Sequence, residues 1–336
     1  MIITRTPYRL SFFGGGTDYR PWFEQHGGVI IASALARYCY LTVRKLPPFF
    51  EHKTRIVYSR IESVQSVDEI IHPSIKHCLK FLNIEDGLEI HNVGDLPARS
   101  GIGSSSSFTV GLLHALHALN YRMVSQRQLA DEAIHVEQRL IGEHVGIQDQ
   151  IMAAFGGMQI IEMGPGDRYT TRPLILPPDY LNALENHILL GFSGISRESS
   201  QYAHTHIENI KQCKSSDILT EISSLAQDAL KAFIRNDSLE LIGSLLDKSW
   251  RMKRQLTHNL SNNHIDDLYE TARKAGAFGG KLMGAGGGGF IFFLAPPQKH
   301  EAIKQALSSI KVWVPFKIDM EGTRVIVQNT HPIYHD

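Results

Sequence analysis

Apolar and polar positions alternate unevenly over residues 2–13, and the pattern stops at the three glycines Gly14 to Gly16. A run of this kind that ends in glycine predicts a β-strand followed by a flexible turn. Residues 28–44 are apolar and rich in β-branched and aromatic side chains, which predicts one or two buried strands. The first part of the chain is therefore expected to build a β-sheet.

Helical spacing follows a stretch of small residues, Gly101 to Ser107. From Phe108 to Asn120 apolar residues recur at intervals of three and four, which predicts a helix after a loop. A second helix is predicted from Gln126 to Ile141, with Glu137 beside its apolar face.

Glycine and proline interrupt the chain near residues 164–180, as Gly-Pro-Gly and then Pro-Pro-Asp. This is the best candidate for a boundary between two lobes. Residues 198–275 then carry mostly helical signals, and Phe290 to Leu294 has the composition of a strand. The pattern as a whole predicts a mixed α and β protein.

Composition narrows the kind of partner. The 336 residues include 34 basic and 34 acidic side chains, so no net positive field recruits nucleic acid or an anionic membrane, and a small molecule is the expected partner. The cysteines Cys39, Cys78 and Cys213 are scattered without metal-ligand spacing, which favours a reducing cytoplasm. No export signal or membrane-spanning run is recognised, and the sequence is silent on oligomeric state.

The small-residue segment has the sequence Leu96-Pro-Ala-Arg-Ser-Gly-Ile-Gly-Ser-Ser-Ser-Ser107. Its glycines allow a ligand to approach the backbone, and the free N–H groups at the start of the following helix favour a phosphate. A flexible turn with a serine N-cap explains the same residues equally well. The segment lacks the lysine of a Walker A motif, so a bound triphosphate needs positive charge from Mg²⁺ or from another basic side chain.

A second glycine-rich segment, Gly284 to Gly289, formally satisfies the G-x-G-x-x-G pattern of dinucleotide-binding folds. That pattern requires a helix after the glycines, whereas a strand-like segment follows here. We therefore interpret it as a second surface that closes over a nucleotide or its phosphates, with a β-bulge or tight turn as the alternative.

Glu137 and Asp149 lie between the two glycine-rich segments. Phosphoryl transfer to an alcohol needs Mg²⁺ held by oxygen ligands and a group that accepts or orients the hydroxyl proton, and one carboxylate can serve each task. Taken alone, the pair is explained as well by solvated caps near helix ends.

Three segments in this order resemble the signature motifs of the GHMP kinases, a family that includes galactokinase, homoserine kinase and mevalonate kinase. They are residues 6–19 (TPYRLSFFGGGTDY), 100–107 (SGIGSSSS) and 281–290 (KLMGAGGGGF). Within the family, FGGGTDY together with GIGSSSS and the segment Gly194-Ile-Ser-Arg197 is most similar to bacterial D-glycero-D-manno-heptose 7-phosphate kinases.

The resemblance implies an α+β fold of two lobes. An N-terminal α/β lobe, residues 1–175, would carry the serine-rich phosphate loop. A C-terminal ferredoxin-like lobe, residues 176–336, would follow, with the final residues able to return to the first lobe. The site would lie between the lobes, where ligand sites are common.

The resemblance also implies ATP and Mg²⁺ as cofactors. The residues matched to the nucleotide are Ser100, Gly101, Ile102, Gly103, Ser104, Ser105, Ser106, Gly286 and Gly287. Ser105 best matches the serine that reaches Mg²⁺, with Ser104 and Ser106 as competing positions, and Glu137 matches the metal-binding glutamate.

Asp149 matches the catalytic base of galactokinase-like members, and Arg9 matches a basic residue that acts on the nucleophile or on the transferring phosphoryl group. Gly15 and Gly16 replace a glutamate-histidine pair of galactokinase, which leaves room for a larger sugar. The residues assigned to the substrate are Gly15, Gly16, Thr17, Asp18, Ser193, Gly194 and Arg197, the last three for a second phosphate on the sugar.

The expected activity is phosphorylation of the anomeric hydroxyl of heptose 7-phosphate, which gives a 1,7-bisphosphate for nucleotide-activated heptose and surface glycans. The alternatives are a GHMP kinase of another sugar, of the fucose, arabinose or galactose type, and a non-catalytic sugar sensor. Arg197 distinguishes a phosphorylated from a neutral sugar, although a capped helix start with a solvated Arg197 explains the segment equally well. The presence of Ser105, Glu137 and Asp149 together argues against a sensor.

Overall fold

The first strand forms where the sequence predicts it, because residues 2–13 bury nearly every side chain within a sheet.

The computed structural model describes residues 1–85, 87–194, 200–257, 260–284 and 286–329. The elements up to residue 173 are β1 (Ile2–Phe13), α1 (Arg20–His26), β2 (Gly28–Lys45), β3 (Thr54–Val57), β4 (Ile61–Val64), α2 (Pro73–Phe81), β5 (Leu88–Gly94), α3 (Ser104–Leu119), α4 (Gln126–His135), α5 (Gln148–Phe155), β6 (Met158–Gly164) and β7 (Arg168–Pro173).

The elements after residue 173 are mostly helical up to residue 274, as the signals over 198–275 predict. They are α6 (Pro178–His187), β8 (Ile188–Phe192), α7 (Ser200–Lys211), α8 (Ser216–Ile234), α9 (Leu239–Lys253), α10 (Asn263–Lys274), β9 (Gly279–Leu282), β10 (Phe290–Leu294), α11 (His300–Ala306), β11 (Val312–Val314) and β12 (Arg324–Gln328). Short 3₁₀ turns occur at Val67–Glu69 and Pro297–Lys299. Within the part of the chain that the structure describes, no helix is long and apolar enough to cross a membrane.

The larger sheet has the strand order β12-β1-β2-β5-β3-β4, and β6 and β7 extend it from β2. Residues 28–44 form one strand rather than two, because β2 pairs with β6 over Gly28–Ser33 and with β5 over Cys39–Lys45. The last strand, β12, returns to pair antiparallel with β1. A single long strand therefore ties both halves of this sheet together.

The smaller sheet is antiparallel, with the order β11-β8-β10-β9. It meets the larger sheet through aromatic side chains. Phe12 of β1 packs edge-on against Phe292 of β10, with ring centroids 5.7 Å apart, and against Phe233 of α8 at 6.3 Å. These buried contacts place the ends of β1 and β9 beside each other, and the candidate site is built there.

Two predicted helices begin or end differently in the structure. The predicted loop through Ser107 is wrong in its extent, because α3 begins at Ser104 and includes four serines. The helix predicted over 126–141 changes at Val136 into a π-helix, Val136–Ile141. In both places side chains that contact distant residues, described below, override local propensity.

Close packing of α9 on β9 depends on glycine. A Cβ at Gly243 would lie 2.2 Å from the Cβ of Phe278, a separation that real side chains do not reach. We expect Gly243→Ala to destabilise the fold by about 1–3 kcal/mol, although alanine favours a helix interior by about 1 kcal/mol, because α9 and β9 must move apart. Urea unfolding measures the change.

Gly164→Ala is the matched control. A Cβ at Gly164 would have no atom within 4 Å, and its backbone needs no left-handed conformation. This variant should remain within about 0.5 kcal/mol of the wild type. Equal destabilisation by both variants would show that helix-strand packing at Gly243 is not the cause.

Candidate active site

The serine-rich segment ends as the N-terminus of a buried helix. Gly103 adopts a left-handed conformation, with φ 73° and ψ 28°, and is the N-cap residue of α3. No side chain caps this helix, so the N–H groups of its first turn, Ser104 to Ser106, have no intrahelical acceptor and no capping side chain. The helix dipole adds partial positive charge at the same place, which makes it suited to an anion.

The two glycine-rich segments pack backbone against backbone. A Cβ at Gly101 would lie 2.5 Å from the carbonyl oxygen of Met283, and one at Gly289 would lie 2.3 Å from that of Ser100. The N–H of Phe290 donates to the carbonyl of Ser100 at 2.9 Å. Glycine is required at these positions because no other residue allows the two segments to approach so closely.

Gly286 and Gly287 have a packing role. A Cβ at Gly286 would lie 2.7 Å from the carbonyl oxygen of Leu260, and the N–H of Gly287 donates to that same oxygen at 3.0 Å. The backbone donor of Gly287, which the sequence assigns to the nucleotide, is therefore already used within the protein. In the structure, the backbone that the glycines of this segment approach closely is that of Ser100, Gly101 and Leu260.

Arg9 and Asp149 form a bidentate ion pair next to Gly103. The Nε and Nη2 atoms of Arg9 donate to the two carboxylate oxygens of Asp149 at 2.7 and 2.9 Å, and Nη1 donates to the carbonyl of Gly101. A Cβ at Gly103 would lie 3.2 Å from Oδ2 of Asp149. The side chain of Arg9 is 6% exposed and that of Asp149 is 27% exposed, so the carboxylate is held firmly and still reaches solvent.

Ser11 and Gln148 extend this pair, and the sequence interpretation did not include them. The hydroxyl of Ser11 donates to Oε1 of Gln148 at 2.7 Å, and Nε2 of Gln148 donates to Oδ1 of Asp149 at 3.1 Å. Ser11 is two positions after Arg9 on β1, so the two side chains share one face of the strand. This two-residue spacing from Arg9 was the only sequence feature that could have indicated a role for Ser11 in the site.

Glu137 is fully buried in the π-helix. Its Oε2 accepts hydrogen bonds from the hydroxyl of Ser106 at 2.8 Å and from the side chain of Gln150. Its Oε1 has no hydrogen-bond partner among the described residues. The hydroxyl of Thr109 is a neighbour of this carboxylate, but it donates to the carbonyl of Ser105 at 3.2 Å. Burial, reinforced by the charge of Glu143, raises the pKa of Glu137 to about 8.

The serine beside Glu137 is Ser106, so the structure does not bring together Ser105 and Glu137 as the sequence predicts. Ser105 is exposed, whereas Ser106 is 3% exposed and lies on the inner face of α3. Consecutive helical residues point about 100° apart, so only one of the two can face Glu137. Ser104 is also in the first turn, and its hydroxyl accepts from the N–H of Arg99 at 3.3 Å.

The turn after β1 is internally hydrogen-bonded. Both the N–H and the hydroxyl of Thr17 donate to the carbonyl of Gly14, at 3.0 and 2.8 Å, and the N–H of Gly16 donates to Oδ1 of Asp18 at 3.1 Å. Asp18 is buried, and burial together with the charge of Asp149 raises the pKa of its carboxyl group. Its other oxygen lies against Gly146, where a Cβ would be 1.9 Å away.

Two buried lysines also face this turn, and no sequence signal singled out their side chains. A Cβ at Gly15 would lie 3.6 Å from the Nζ atoms of both Lys253 and Lys281. Lys253 is the last residue of α9 and Lys281 belongs to β9. Tertiary structure thus brings residues from three distant segments to one point.

The segment assigned to a second phosphate is only partly described. Ser193 pairs with Gly289 through two bonds: its N–H donates to the carbonyl of Gly289 at 3.0 Å, and its hydroxyl accepts from the N–H of Gly289 at 3.2 Å. Gly194 is exposed, with open space around it. Arg197 lies outside the described residues, so its assignment stays a prediction.

Comparison with known protein families gives two matches along the chain. The model of the GHMP kinases N terminal domain matches residues 70–157, and that of the GHMP kinases C terminal domain matches residues 229–311. The α+β fold expected from the sequence is thereby confirmed.

Several curated proteins are similar over most of the chain. A D-glycero-alpha-D-manno-heptose 7-phosphate kinase from Campylobacter jejuni is 29% identical over 96% of this chain and 98% of its own length. A galactokinase from Pyrococcus furiosus is 24% identical, over 91% of this chain and 92% of its own length.

Solved structures show the same fold. A D-glycero-D-manno-heptose 1-phosphate kinase from Bacteroides thetaiotaomicron superposes with a TM-score of 0.79 at 23% identity, covering 98% of this chain and 100% of that one. A galactokinase from Lactococcus lactis, complexed with galactose, gives a TM-score of 0.74 at 19% identity and covers 96% of this chain and 94% of its own.

The Arg9–Asp149 pair is expected to stabilise the fold measurably. Removing one partner leaves the other charge largely buried, so Arg9→Met and Asp149→Asn should each destabilise, while the double variant should lose less than the sum. We expect a coupling energy of about 1–3 kcal/mol from urea unfolding of all four proteins. Strict additivity would show that the two side chains do not act as a pair in solution.

Proposed function

The chain belongs to the GHMP kinase family, and from this premise we propose that it is an ATP-dependent kinase of D-glycero-D-manno-heptose 7-phosphate that phosphorylates the anomeric hydroxyl. One observation carries the proposal of phosphoryl transfer: the Asp149 carboxylate lies directly against Gly103, the residue that begins the uncapped helix α3. A proton acceptor and an anion site are therefore neighbours. The choice of sugar is supported by the heptose 7-phosphate kinase that is similar over nearly the whole chain.

The phosphates of ATP fit the N-terminus of α3. The N–H groups of Ser104, Ser105 and Ser106 have no capping side chain, and Gly101 and Gly103 keep the loop free of side chains. These donors form before the ligand arrives, so they stabilise negative charge without reorganisation.

The donor set beside α3 fits a hard divalent cation. The buried Oε1 of Glu137 has no protein partner among the described residues, and the Ser106 hydroxyl is hydrogen-bonded to the same carboxylate. No group of three His, Cys, Asp or Glu side chains in the described part of the chain could hold a metal ion. Mg²⁺ suits this arrangement, since it needs few protein ligands and takes the rest from phosphates and water. When bound, it would neutralise charge on the phosphates.

In the proposed reaction, the anomeric oxygen forms a bond to the γ-phosphorus as the bond to the ADP oxygen breaks. The hydroxyl proton passes to Asp149, whose carboxylate keeps free lone pairs although Arg9 holds both of its oxygens. Arg9 fixes the direction of the carboxylate, and Gln148 supports it through a further hydrogen bond. Most of the rate acceleration then comes from positioning and from charge stabilisation.

The sugar is expected beside the turn that contains Gly15, Gly16 and Asp18. The absence of side chains at the two glycines leaves room there, and Asp18 offers carboxylate oxygens to hydroxyl groups. The product would be a heptose 1,7-bisphosphate, an intermediate suited to nucleotide activation.

A coupled assay of ADP release across a panel of sugars tests this proposal. We expect turnover to be fastest with D-glycero-D-manno-heptose 7-phosphate, ahead of the unphosphorylated heptose, fucose, arabinose and galactose. Asp149→Asn should lower turnover by about two to four orders of magnitude with ATP binding nearly unchanged, because it removes the proton acceptor.

Other outcomes separate the alternatives. Faster turnover with a neutral sugar would identify a kinase of that sugar. Sugar binding without turnover would indicate a sensor, and near-normal turnover of Asp149→Asn would remove this residue from the role of base.

The metal assignment is tested by a pair of serine variants. Ser106→Ala should raise the Mg²⁺ concentration for half-maximal rate by roughly tenfold, because it removes a hydroxyl held at Glu137. Ser105→Ala, one position away and exposed, should leave this concentration within about twofold. The opposite result would restore Ser105 as the metal-binding serine.

A further inference from the structure

Two lysine ammonium groups converge on Gly15, one from the end of α9 and one from β9. The Nζ atoms of Lys253 and Lys281 both lie 3.6 Å from the position that a Gly15 Cβ would occupy. Lys253 is 9% exposed and Lys281 is 2% exposed. Charged groups are seldom buried to this extent unless something pairs with them.

Neither ammonium has a carboxylate partner among the residues that the structure describes. Among the described residues, no carboxylate oxygen lies within 4.0 Å of either Nζ atom. Lys253 donates to the carbonyl of Gly284 at 3.0 Å, and Lys281 donates to the carbonyl of Phe12 at 3.4 Å. Since an ammonium group has three donors, each lysine keeps two that can be given to a ligand.

Positively charged side chains outnumber negatively charged ones around Gly15. Arg9 is paired with Asp149, so within the described part of the chain Asp18 is the nearby carboxyl group left to balance the two lysines. Burial and then the charge of Arg9 lower the pKa of Lys253 to about 8. Burial and then the charge of Lys253 lower the pKa of Lys281 well below its usual range. A bound anion would relieve the repulsion between the two lysines.

We propose that Lys253 and Lys281 hold the phosphate monoester of a phosphorylated sugar substrate. The inference rests on the proposed function, whose substrate carries such a group. A dianion with three oxygens matches two ammonium groups with two free donors each better than a singly charged carboxylate does. The lysines lie at the turn assigned to the sugar, whereas the nucleotide phosphates have their own site at the N-terminus of α3.

This site differs from the one that the sequence indicates. The N–H of Ser193 already donates to the carbonyl of Gly289, and its hydroxyl oxygen accepts from the N–H of Gly289, so Ser193 has only its hydroxyl proton left to donate to a phosphate. The lysine pair meets the same chemical need with buried and unpaired charge.

Steady-state kinetics of Lys253→Met and Lys281→Met tests the proposal. Each variant should raise the KM for D-glycero-D-manno-heptose 7-phosphate by about tenfold or more, because charge-assisted hydrogen bonds are lost. The KM for the unphosphorylated heptose and the KM for ATP should stay within about threefold. Lys248→Met is the matched control, since Lys248 is exposed on the same helix, α9, and should change none of these constants.

Thermal unfolding gives a second measurement that does not depend on catalysis. Without ligand, each methionine variant should melt at or above the wild-type temperature, because a buried unpaired charge is replaced by an apolar group. Heptose 7-phosphate, or inorganic phosphate as a simpler probe, is added together with excess ADP, which occupies the separate anion site at the N-terminus of α3. The added phosphate should raise the melting temperature of the wild type and of Lys248→Met, but not that of the lysine-pair variants.

Gly15→Ala extends the test with both lysines intact. Its methyl group would lie 3.6 Å from each of the two Nζ atoms, and Gly15 has no left-handed backbone requirement. Because the same turn is assigned to the sugar, this variant should raise the KM for the phosphorylated heptose by more than the KM for the unphosphorylated heptose, and an equal rise in both would contradict the inference even if a methionine variant does not fold.

Three results would overturn the inference. They are a raised KM for ATP in both methionine variants, an equal loss of activity on both sugars, and an unchanged KM for the phosphorylated heptose. Failure of the proposed function looks different: the wild type would turn over no sugar or would prefer a neutral one, while the thermal shift with phosphate would still report on the lysines.

Discussion

The site depends on the close approach of two glycine-rich backbones. Gly101 packs on the carbonyl of Met283 and Gly289 on that of Ser100, at separations that no side chain permits. This contact joins the loop before α3 to the segment before β10, so it fixes the N–H groups that we propose bind phosphate relative to the smaller sheet. Arg9 adds to it by donating to the carbonyl of Gly101 while it holds Asp149. One backbone contact therefore sets the positions of the N-terminus of α3 and of Asp149, the proposed anion site and proton acceptor.

Buried charge is the second feature that shapes the site. Glu137 has an unpartnered oxygen within the described residues, and Lys253 and Lys281 have no carboxylate partner there. Such groups oppose folding, because burial removes their hydration without a matching ion. A fold selected for stability alone would replace them with apolar side chains, so their presence points to ligands that complete them: a cation at Glu137 and an anion at the lysines.

Local sequence predicted a large part of this structure. The strand over residues 2–13, the helical character of the described residues within 198–275 and the strand at 290–294 are confirmed. The signals that predict them, which are hydrophobic period, composition and glycine at the boundaries, each extend over only a few residues. The start of α3 and the π-helix at Val136 were missed. Ser106 and Ser107 join the helix since their hydroxyls bond to Glu137 and to the carbonyl of Pro7, which are 31 and 100 positions away.

The sequence by itself determined the family, the α+β fold and the residue types that phosphoryl transfer requires, because three ordered motifs lie within short continuous segments. Only the tertiary structure decided which members of those motifs meet. It placed Ser106 rather than Ser105 at Glu137, used the N–H of Gly287 for Leu260, and brought Lys253 and Lys281 to Gly15. The physical reason is that side-chain direction and burial depend on helix phase and on contacts between distant segments, which no local pattern contains.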